Sequence, residues 1–132
     1  MHANTARQWM LVTDQTVALD RDFRNFFLKS PIARMAVAVE PDNRFVYVEA
    51  NAAAGAYFDI APEAMKGHTP AELFERAVSE QIEQSFMSCI KLRRPVTYNA
   101  LPRFPGGVKV QAFILNPIVD AEGRVRFIDI MA

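Results

Sequence analysis

The stretch that decides the fold is YVEANAAAGAYFDIAPEAMKG, which runs from Tyr47 to Gly67. It begins as a strand and stops at Asn51, whose side-chain oxygen can cap a helix by accepting a hydrogen bond from a free N–H of the first turn. The alanines that follow are the strongest helix formers, and their small side chains let a short helix lie close to a sheet. Gly67 suits the left-handed exit of a second short helix. We therefore predict a strand that leads into short, capped helices, with Asn51 in a structural role.

Two strands are predicted around the start of this stretch. The segment RMAVAVE at 34–40 alternates between bulky side chains and alanines, which is typical of a strand with one bulky and one small face. The segment RFVYVEA at 44–50 follows after Pro41-Asp42-Asn43, which has the composition of a tight turn. The two segments are therefore predicted to form a hairpin.

The segment after the stretch predicts two further helices. TPAE at 69–72 has the composition of a capping box, with Thr as the cap, Pro at the first helical position and Glu three residues after the cap. Apolar residues then recur at helical spacing from Phe74 to Ile90, and Arg94-Pro95 ends the pattern. We predict one long amphipathic helix from Phe74 onward.

Three strand segments complete the predicted fold. They are VTYNAL at 96–101, GVKVQAFILNPIVD at 107–120 and RVRFIDIMA at 124–132. The order of a helix, two strands, several helices and three strands is typical of an α+β domain. We expect a five-stranded antiparallel sheet with short helices and one long helix on one side.

The N-terminal residues 1–29 are predicted to form a separate amphipathic helix. Residues 5–28 contain neither Gly nor Pro, and their apolar residues recur at helical spacing. A helix this apolar must bury its face, either on its own sheet or against a second copy of the chain. We favour a homodimer, and the residues proposed for its interface are Trp9, Val12, Leu19, Phe23 and Phe26.

Composition limits the classes of function. The 132 residues suit one domain, and 15 basic residues balance 15 acidic ones, so there is no electrostatic argument for a nucleic-acid partner. No apolar run is long enough to span a membrane, and we expect a cytoplasmic protein. The single cysteine, Cys89, excludes an internal disulfide, and its place on the apolar stripe predicts an inert, buried thiol. His68 is expected to be an exposed loop residue, and no metal site is predicted.

Four segments together resemble the PAS domain, a small sensory fold of signalling proteins, from about residue 30 to residue 132. The interval from Asn51 to Gly67 fits the spacing of that family, and Pro117 and Gly123 stand at characteristic positions. The segments are FVYVEANAAAGAYF at 45–58, APEAMKGHTPAELF at 61–74, CIKLRRPVTYNA at 89–100 and ILNPIVDAEGRVRFIDI at 114–130.

The resemblance implies a PAS domain at 30–132, preceded by the helix at 1–29. It implies a non-catalytic sensor that binds a small ligand between the sheet and the long helix, or mediates homodimerisation, and so controls an output domain. A histidine kinase of a two-component system would be a usual output domain. Because an output segment usually follows the last strand in this family, we expect the chain to be part of a longer protein.

The residues that mark the best-known PAS cofactors are missing. The segment FERAVSEQ at 74–81 lacks the cysteine that binds flavin covalently in the photoreceptor members. Residues 74–93 contain no histidine of the kind that ligates haem in other members. The cofactor, if there is one, therefore stays unknown at this point.

Inward side chains of the sheet and helices are the candidates for a ligand pocket. Tyr98 and Gln111 are of most interest, because a polar group in an apolar cavity needs a partner. The full set is Val37, Val39, Tyr57, Met65, Phe74, Ile82, Phe86, Tyr98, Gln111 and Phe113. The alternative is that these bulky side chains fill the core, and the chain is then a ligand-free structural dimerisation module.

A small α+β enzyme with an acid–base site in a cone-shaped cavity is a further alternative. Such a site needs a buried acid or base whose pKa is shifted by its surroundings. Asp129 is the carboxylate that lies within an apolar run, in the last strand. The chain has no nucleophile elbow, no HExxH and no glycine-rich phosphate loop. An exposed Asp129 would end this alternative.

Overall fold

The computed structural model describes residues 24–99 and 112–132, and the strands in these ranges form one antiparallel sheet. The predicted α+β fold is confirmed, with five strands in the spatial order β2-β1-β5-β4-β3. The strands are β1 (Arg34–Val39), β2 (Phe45–Ala50), β3 (Val96–Asn99), β4 (Ala112–Val119) and β5 (Val125–Met131).

Four helices connect β2 to β3, and a helical segment at 24–29 precedes β1. That segment ends before Ser30-Pro31, as the sequence predicts, because a residue before proline disfavours helical geometry. None of the helices in the described part of the chain has the length and hydropathy that a membrane span requires. The four helices are α1 (Ala52–Phe58), α2 (Pro62–Met65), α3 (Pro70–Leu73) and α4 (Arg76–Leu92).

The long helix begins later than the apolar pattern predicts. Phe74 has extended backbone angles (φ −125°, ψ 158°) and ends α3, so that α4 starts only at Arg76. The capping box of Thr69 is present and makes α3 a separate helix. Phe74 nevertheless keeps its place in the apolar pattern, since its side chain packs on the core: the ring centroids of Phe74 and Phe58 lie 5.1 Å apart.

The core lies between the sheet and α4. Met35 and Val37 of β1 point into it, as do Ile128 and Ile130 of β5, and all four side chains are buried. On the opposite face of β1, Ala36 is 1% exposed, whereas Ala38 is half-buried. The bulky face predicted for β1 thus contributes Met35 and Val37 to the core, and the small face is buried at Ala36.

The stretch from Tyr47 to Gly67 closes on itself. Gly67 has the left-handed φ of +81° expected from the sequence, which turns the chain back toward β2. The N–H of Gly67 donates to the carbonyl of Tyr47 at 2.7 Å, and the N–H of Tyr47 donates to the carbonyl of His68 at 2.9 Å. The outer edge of β2 is thereby paired at its middle.

Asn51 connects three segments of the chain and is 1% exposed. Its Oδ1 accepts hydrogen bonds from the N–H of Ala54 at 2.9 Å and from the N–H of Arg34 at 3.0 Å. Its Nδ2 donates to the carbonyls of Phe27 at 3.1 Å and Ile32 at 2.8 Å. The side chain is thus the predicted cap of α1, and it also holds the start of β1 and the end of the helical segment at 24–29.

An ion-pair cluster adds a second connection to the helical segment. Glu49 of β2 is 9% exposed, and its carboxylate lies 2.8 Å from the guanidinium of Arg24 and 3.0 Å from the ammonium of Lys66. Because Lys66 follows α2, the cluster links the helical segment to the far end of the stretch that closes on β2.

Replacing Asn51 by alanine removes the cap and leaves buried backbone groups without partners. We expect Asn51→Ala to lower the free energy of unfolding by about 3 kcal/mol, since a cap contributes about 1 kcal/mol and each buried orphan costs about 1–3 kcal/mol. Thr69→Ala is the matched control, because Thr69 caps α3 through its Oγ1 alone and is less buried. Urea unfolding of both variants measures the difference. An Asn51→Ala loss no larger than that of Thr69→Ala would contradict this account.

Candidate functional site

A small cavity lies between the sheet and α4. Its volume is about 20 Å³, roughly the space that one water molecule needs. Apart from two tyrosines and a serine, its walls are apolar. The residues that line it are Met35, Tyr47, Phe58, Ile82, Ser85, Phe86, Tyr98, Phe113, Leu115 and Ile130.

Four of the predicted pocket residues line this cavity. Ile82 and Phe86 come from α4, Tyr98 comes from β3, and Phe113 comes from β4. The sequence interpretation missed the remaining lining residues, among them Tyr47 and Ser85. The alternation of β2 places Tyr47 on the same face as Phe45, and the helical spacing of Ser85 from Ile82 places it on the inner face, so both signals were present.

Three predicted pocket residues lie in the core behind the cavity wall. Val37 and Met65 are completely buried without lining the cavity. The ring of Tyr57 packs edge-on against the ring of Phe113, with the ring centroids 5.2 Å apart. Hydrophobic spacing places these residues inside the domain, but it cannot distinguish a cavity wall from the layer behind it.

The other three predicted pocket residues lie elsewhere. Val39 lies near the end of β1 and lines an external cleft instead of the cavity. Phe74 packs on Phe58 in the break before α4, one layer away from the cavity. Gln111 lies outside the described residues, so its predicted place stays an expectation.

Tyr98 carries the unusual polar atom of the cavity. Its hydroxyl is buried, and within residues 24–99 and 112–132 no group forms a hydrogen bond with it. Burial raises the pKa of Tyr98 to about 12, with a further contribution from the nearby Tyr57. Burial also raises the pKa of Tyr47, to which Tyr98 and Glu83 add. Both phenols are therefore protonated at neutral pH, and each offers an O–H donor.

Cys89 and His68 have the environments that the sequence predicts. Cys89 is fully buried, its Sγ lies 3.7 Å from the carbonyl of Leu115, and burial raises the pKa of its thiol to about 11. A protonated, inaccessible thiol is unreactive. His68 is exposed. Within residues 24–99 and 112–132, no three His, Cys, Asp or Glu side chains are grouped so that they could hold a metal ion.

Asp129 lies on the sheet face opposite the cavity. Its neighbours in β5, Ile128 and Ile130, point into the core, so alternation turns Asp129 the other way. The Nη2 of Arg34 donates to both of its carboxylate oxygens, at 3.2 and 2.9 Å. The guanidinium of Arg34 also lies 5.1 Å above the ring of Phe27. This carboxylate is therefore part of a structural ion pair and does not face the cavity.

The unpartnered hydroxyl of Tyr98 leads to a stability prediction. We expect Tyr98→Phe to raise the free energy of unfolding by about 1 kcal/mol, because a buried hydroxyl without a partner is destabilising. Phe113→Ala in the same cavity is the control for lost packing and should cost about 3–5 kcal/mol. Urea unfolding measures both variants. A loss of stability in Tyr98→Phe would show that the hydroxyl has a partner in solution.

Many solved structures are similar to this chain, and the following three are among them. An RNA-binding light-oxygen-voltage receptor superposes with a TM-score of 0.67 at 20% identity, over 92% of this chain and 34% of that chain. VqmA bound to DPO has a TM-score of 0.65 at 20% identity, over 84% of this chain and 56% of that chain. A sensory box sensor histidine kinase from Vibrio cholerae has a TM-score of 0.61 at 16% identity, over 89% of this chain and 94% of that chain. The chain thus spans about a third of the first protein and just over half of the second, and identities this low show a common fold only.

The sequence comparisons identify the family. No curated protein matches the chain at a significant level. The sequence profile of the family described as PAS fold matches residues 31–132, which confirms the resemblance found from about residue 30 onward. The chain belongs to the PAS-fold family.

Proposed function

We propose that this chain is a non-catalytic sensory module of a cytoplasmic signal-transduction protein. It binds a small ligand between the sheet and α4, forms a homodimer, and controls an output domain such as a histidine kinase. The observation that carries the ligand-binding part is the Tyr98 hydroxyl, which is buried at the cavity and has no partner in the described part of the chain. A ligand with a hydrogen-bond acceptor would satisfy this donor.

The size of the cavity defines how a ligand would enter. Pockets for small molecules usually measure about 300–1,000 Å³, whereas this cavity measures about 20 Å³. Binding therefore requires a wall to move. The wall formed by β3 is the least constrained, because this four-residue strand lies at the end of the sheet order and pairs with β4. The VqmA structure, in which a protein of this fold has DPO bound, supports a small molecule as the class of ligand.

The second candidate is a ligand-free structural dimerisation module. The nearly filled core favours it, because Tyr57, Phe58, Phe74 and Phe113 pack ring against ring where a larger ligand would lie. The enzyme alternative required Asp129 as an acid or base in the cavity, but Asp129 is paired with Arg34 away from the cavity. We therefore retain the two binding-module candidates and do not propose catalysis.

The proposed dimer interface has one member among the described residues. Phe26 is 67% exposed within the helical segment at 24–29, whereas the adjacent Phe27 is 2% exposed. Trp9, Val12, Leu19 and Phe23 lie outside the described residues, so their part in the interface stays a prediction. An exposed phenylalanine beside a buried one is the pattern expected of a helix that covers its own domain with one face and offers the other to a partner.

Mass spectrometry of the freshly purified protein distinguishes the two candidates. We expect native spectra to show a bound small molecule that denaturation releases, with an absorbance spectrum from 300 to 600 nm to detect a chromophore. Tyr98→Phe should weaken the affinity for this molecule about fivefold, which corresponds to one neutral hydrogen bond of about 1 kcal/mol, and should therefore lower its occupancy. Tyr57→Phe is the matched control, because it deletes the same atom behind the cavity wall. A protein mass without any adduct in all three proteins would favour the ligand-free module.

Phe26→Asp tests the homodimer. Burying a phenylalanine contributes about 1.5–3 kcal/mol, so we expect the dissociation constant of the dimer to rise at least tenfold. Ile32→Asp is the control, because Ile32 is 49% exposed but lies outside the helical segment. Sedimentation velocity over a concentration series measures both variants. A monomeric wild-type chain, or an unchanged dimer in Phe26→Asp, would contradict the proposed interface.

A further inference from the structure

A second, larger concavity lies at the end of the sheet that carries the hairpin turns. It has a volume of about 290 Å³ and is enclosed by the β1–β2 turn, the C-terminal end of α4 and the β4–β5 turn. Val39, Ile90 and Val125 supply apolar surface inside it. The cleft is also lined by three arginines, Arg93, Arg124 and Arg126.

Two of the three arginines are neutralised within their own turn. The Nη2 of Arg124 lies 2.8 Å from the carboxylate of Glu122, and the Nε of Arg126 lies 2.8 Å from Oδ2 of Asp120. Asp120 also accepts hydrogen bonds from the backbone N–H groups of Glu122 and Arg124, at 2.8 and 3.0 Å. These bonds hold the β4–β5 turn in one conformation, so its side of the cleft is preformed.

Glu40 is the carboxylate that lines the cleft, and it is also paired. Its Oε1 accepts a hydrogen bond from Nη1 of Arg44 at 2.9 Å. Arg93 is therefore the charged lining residue for which the described part of the chain supplies no counter-charge. Counting the described residues alone, the cleft carries one uncompensated positive charge beside the apolar side chains of Val39, Ile90 and Val125.

The backbone conformation at position 93 does not favour an arginine. Arg93 ends α4 in the left-handed conformation (φ 55°, ψ 35°), with its N–H bonded to the carbonyl of Cys89. Glycine or asparagine is the usual residue there, because a Cβ makes the left-handed region unfavourable. Its guanidinium lies over the β4–β5 turn, where a Cβ on Gly123 would come within 3.4 Å of Nη1. The side chain thus projects across the cleft toward the opposite turn.

We propose that this cleft is a second binding site, which takes a small carboxylate with an apolar tail. The planar guanidinium of Arg93 offers the paired N–H donors that match a carboxylate, and the apolar surface accepts the tail. The guanidinium favours the carboxylate of the ligand and the apolar surface favours its tail. An inorganic anion lacks the tail and an uncharged analogue lacks the charge, so each binds more weakly. This inference concerns residues that are distinct from the core cavity and does not rest on ligand binding there.

Benzoate is the probe for this site, with benzyl alcohol and inorganic phosphate as its two partial analogues. We titrate each into the full chain at constant ionic strength and follow the backbone amide signals of Ile90, Gly123 and Val125 by NMR. The expected result is a saturable shift with benzoate, at least fivefold weaker binding of benzyl alcohol, and no saturable shift with phosphate. Constant ionic strength removes the contribution of general charge screening.

Arg93→Gln should weaken benzoate binding at least fivefold, and Arg93→Lys should give an intermediate loss, because lysine keeps the charge without the planar pair of donors. Arg94→Gln is the matched control, because it removes the same charge from an exposed neighbour that does not line the cleft. Equal effects of Arg93→Gln and Arg94→Gln would overturn the proposal. So would equal binding of phosphate and benzoate, or no saturable shift with benzoate.

Discussion

The side-chain amide of Asn51 is the contact on which the rest of this fold depends. This one planar group caps α1 and accepts a hydrogen bond from the first residue of β1. It also donates hydrogen bonds to the carbonyls of Phe27, near the end of the helical segment at 24–29, and of Ile32. Its donors and acceptors are all used in a buried site, where an unpaired group is costly. A single residue therefore sets the relative positions of the sheet, the helices on its inner face and the segment that enters it. Moving any one of these segments relative to the others would strain or break hydrogen bonds of the Asn51 side chain.

The core shows why a member of a sensory family can be difficult to assign to a ligand. Aromatic rings pack against each other between the sheet and α4, and the described residues there line a cavity of about 20 Å³. The Tyr98 hydroxyl at this cavity has no hydrogen-bond partner among the described residues. Packing favours a closed module, whereas the unsatisfied polar atom favours an occupant. Under the function proposed above, a ligand that fills the cavity would satisfy the hydroxyl and displace the short strand β3, so a small difference in binding energy would shift the conformation.

Most of the fold was predictable because it depends on local chemistry. The cap that Asn51 forms on α1, the Thr69 capping box and the left-handed turn at Gly67 each depend on residues a few positions away, and the structure has them where the pattern puts them. The bonds from Asn51 to Phe27, Ile32 and Arg34 join distant segments, and no local pattern predicts them. The cavity was only partly predictable, because membership of its wall depends on how elements far apart in sequence approach each other. Spacing places Val37 and Met65 inside the domain, yet Ser85 and Leu115 line the space. The start of α4 was misplaced because Phe74 keeps the apolar period while its backbone is extended.

The pairing of Tyr47 with Gly67 and His68 has a consequence for how two copies can meet. An unpaired edge strand exposes N–H and C=O groups that recruit strands from other molecules. At the middle of β2 both outward backbone groups are already bonded within the chain. This edge cannot be extended into a continuous intermolecular sheet without first breaking those bonds. A second molecule that meets this side of the domain at the middle of β2 therefore has to contact side chains and cannot add a strand there.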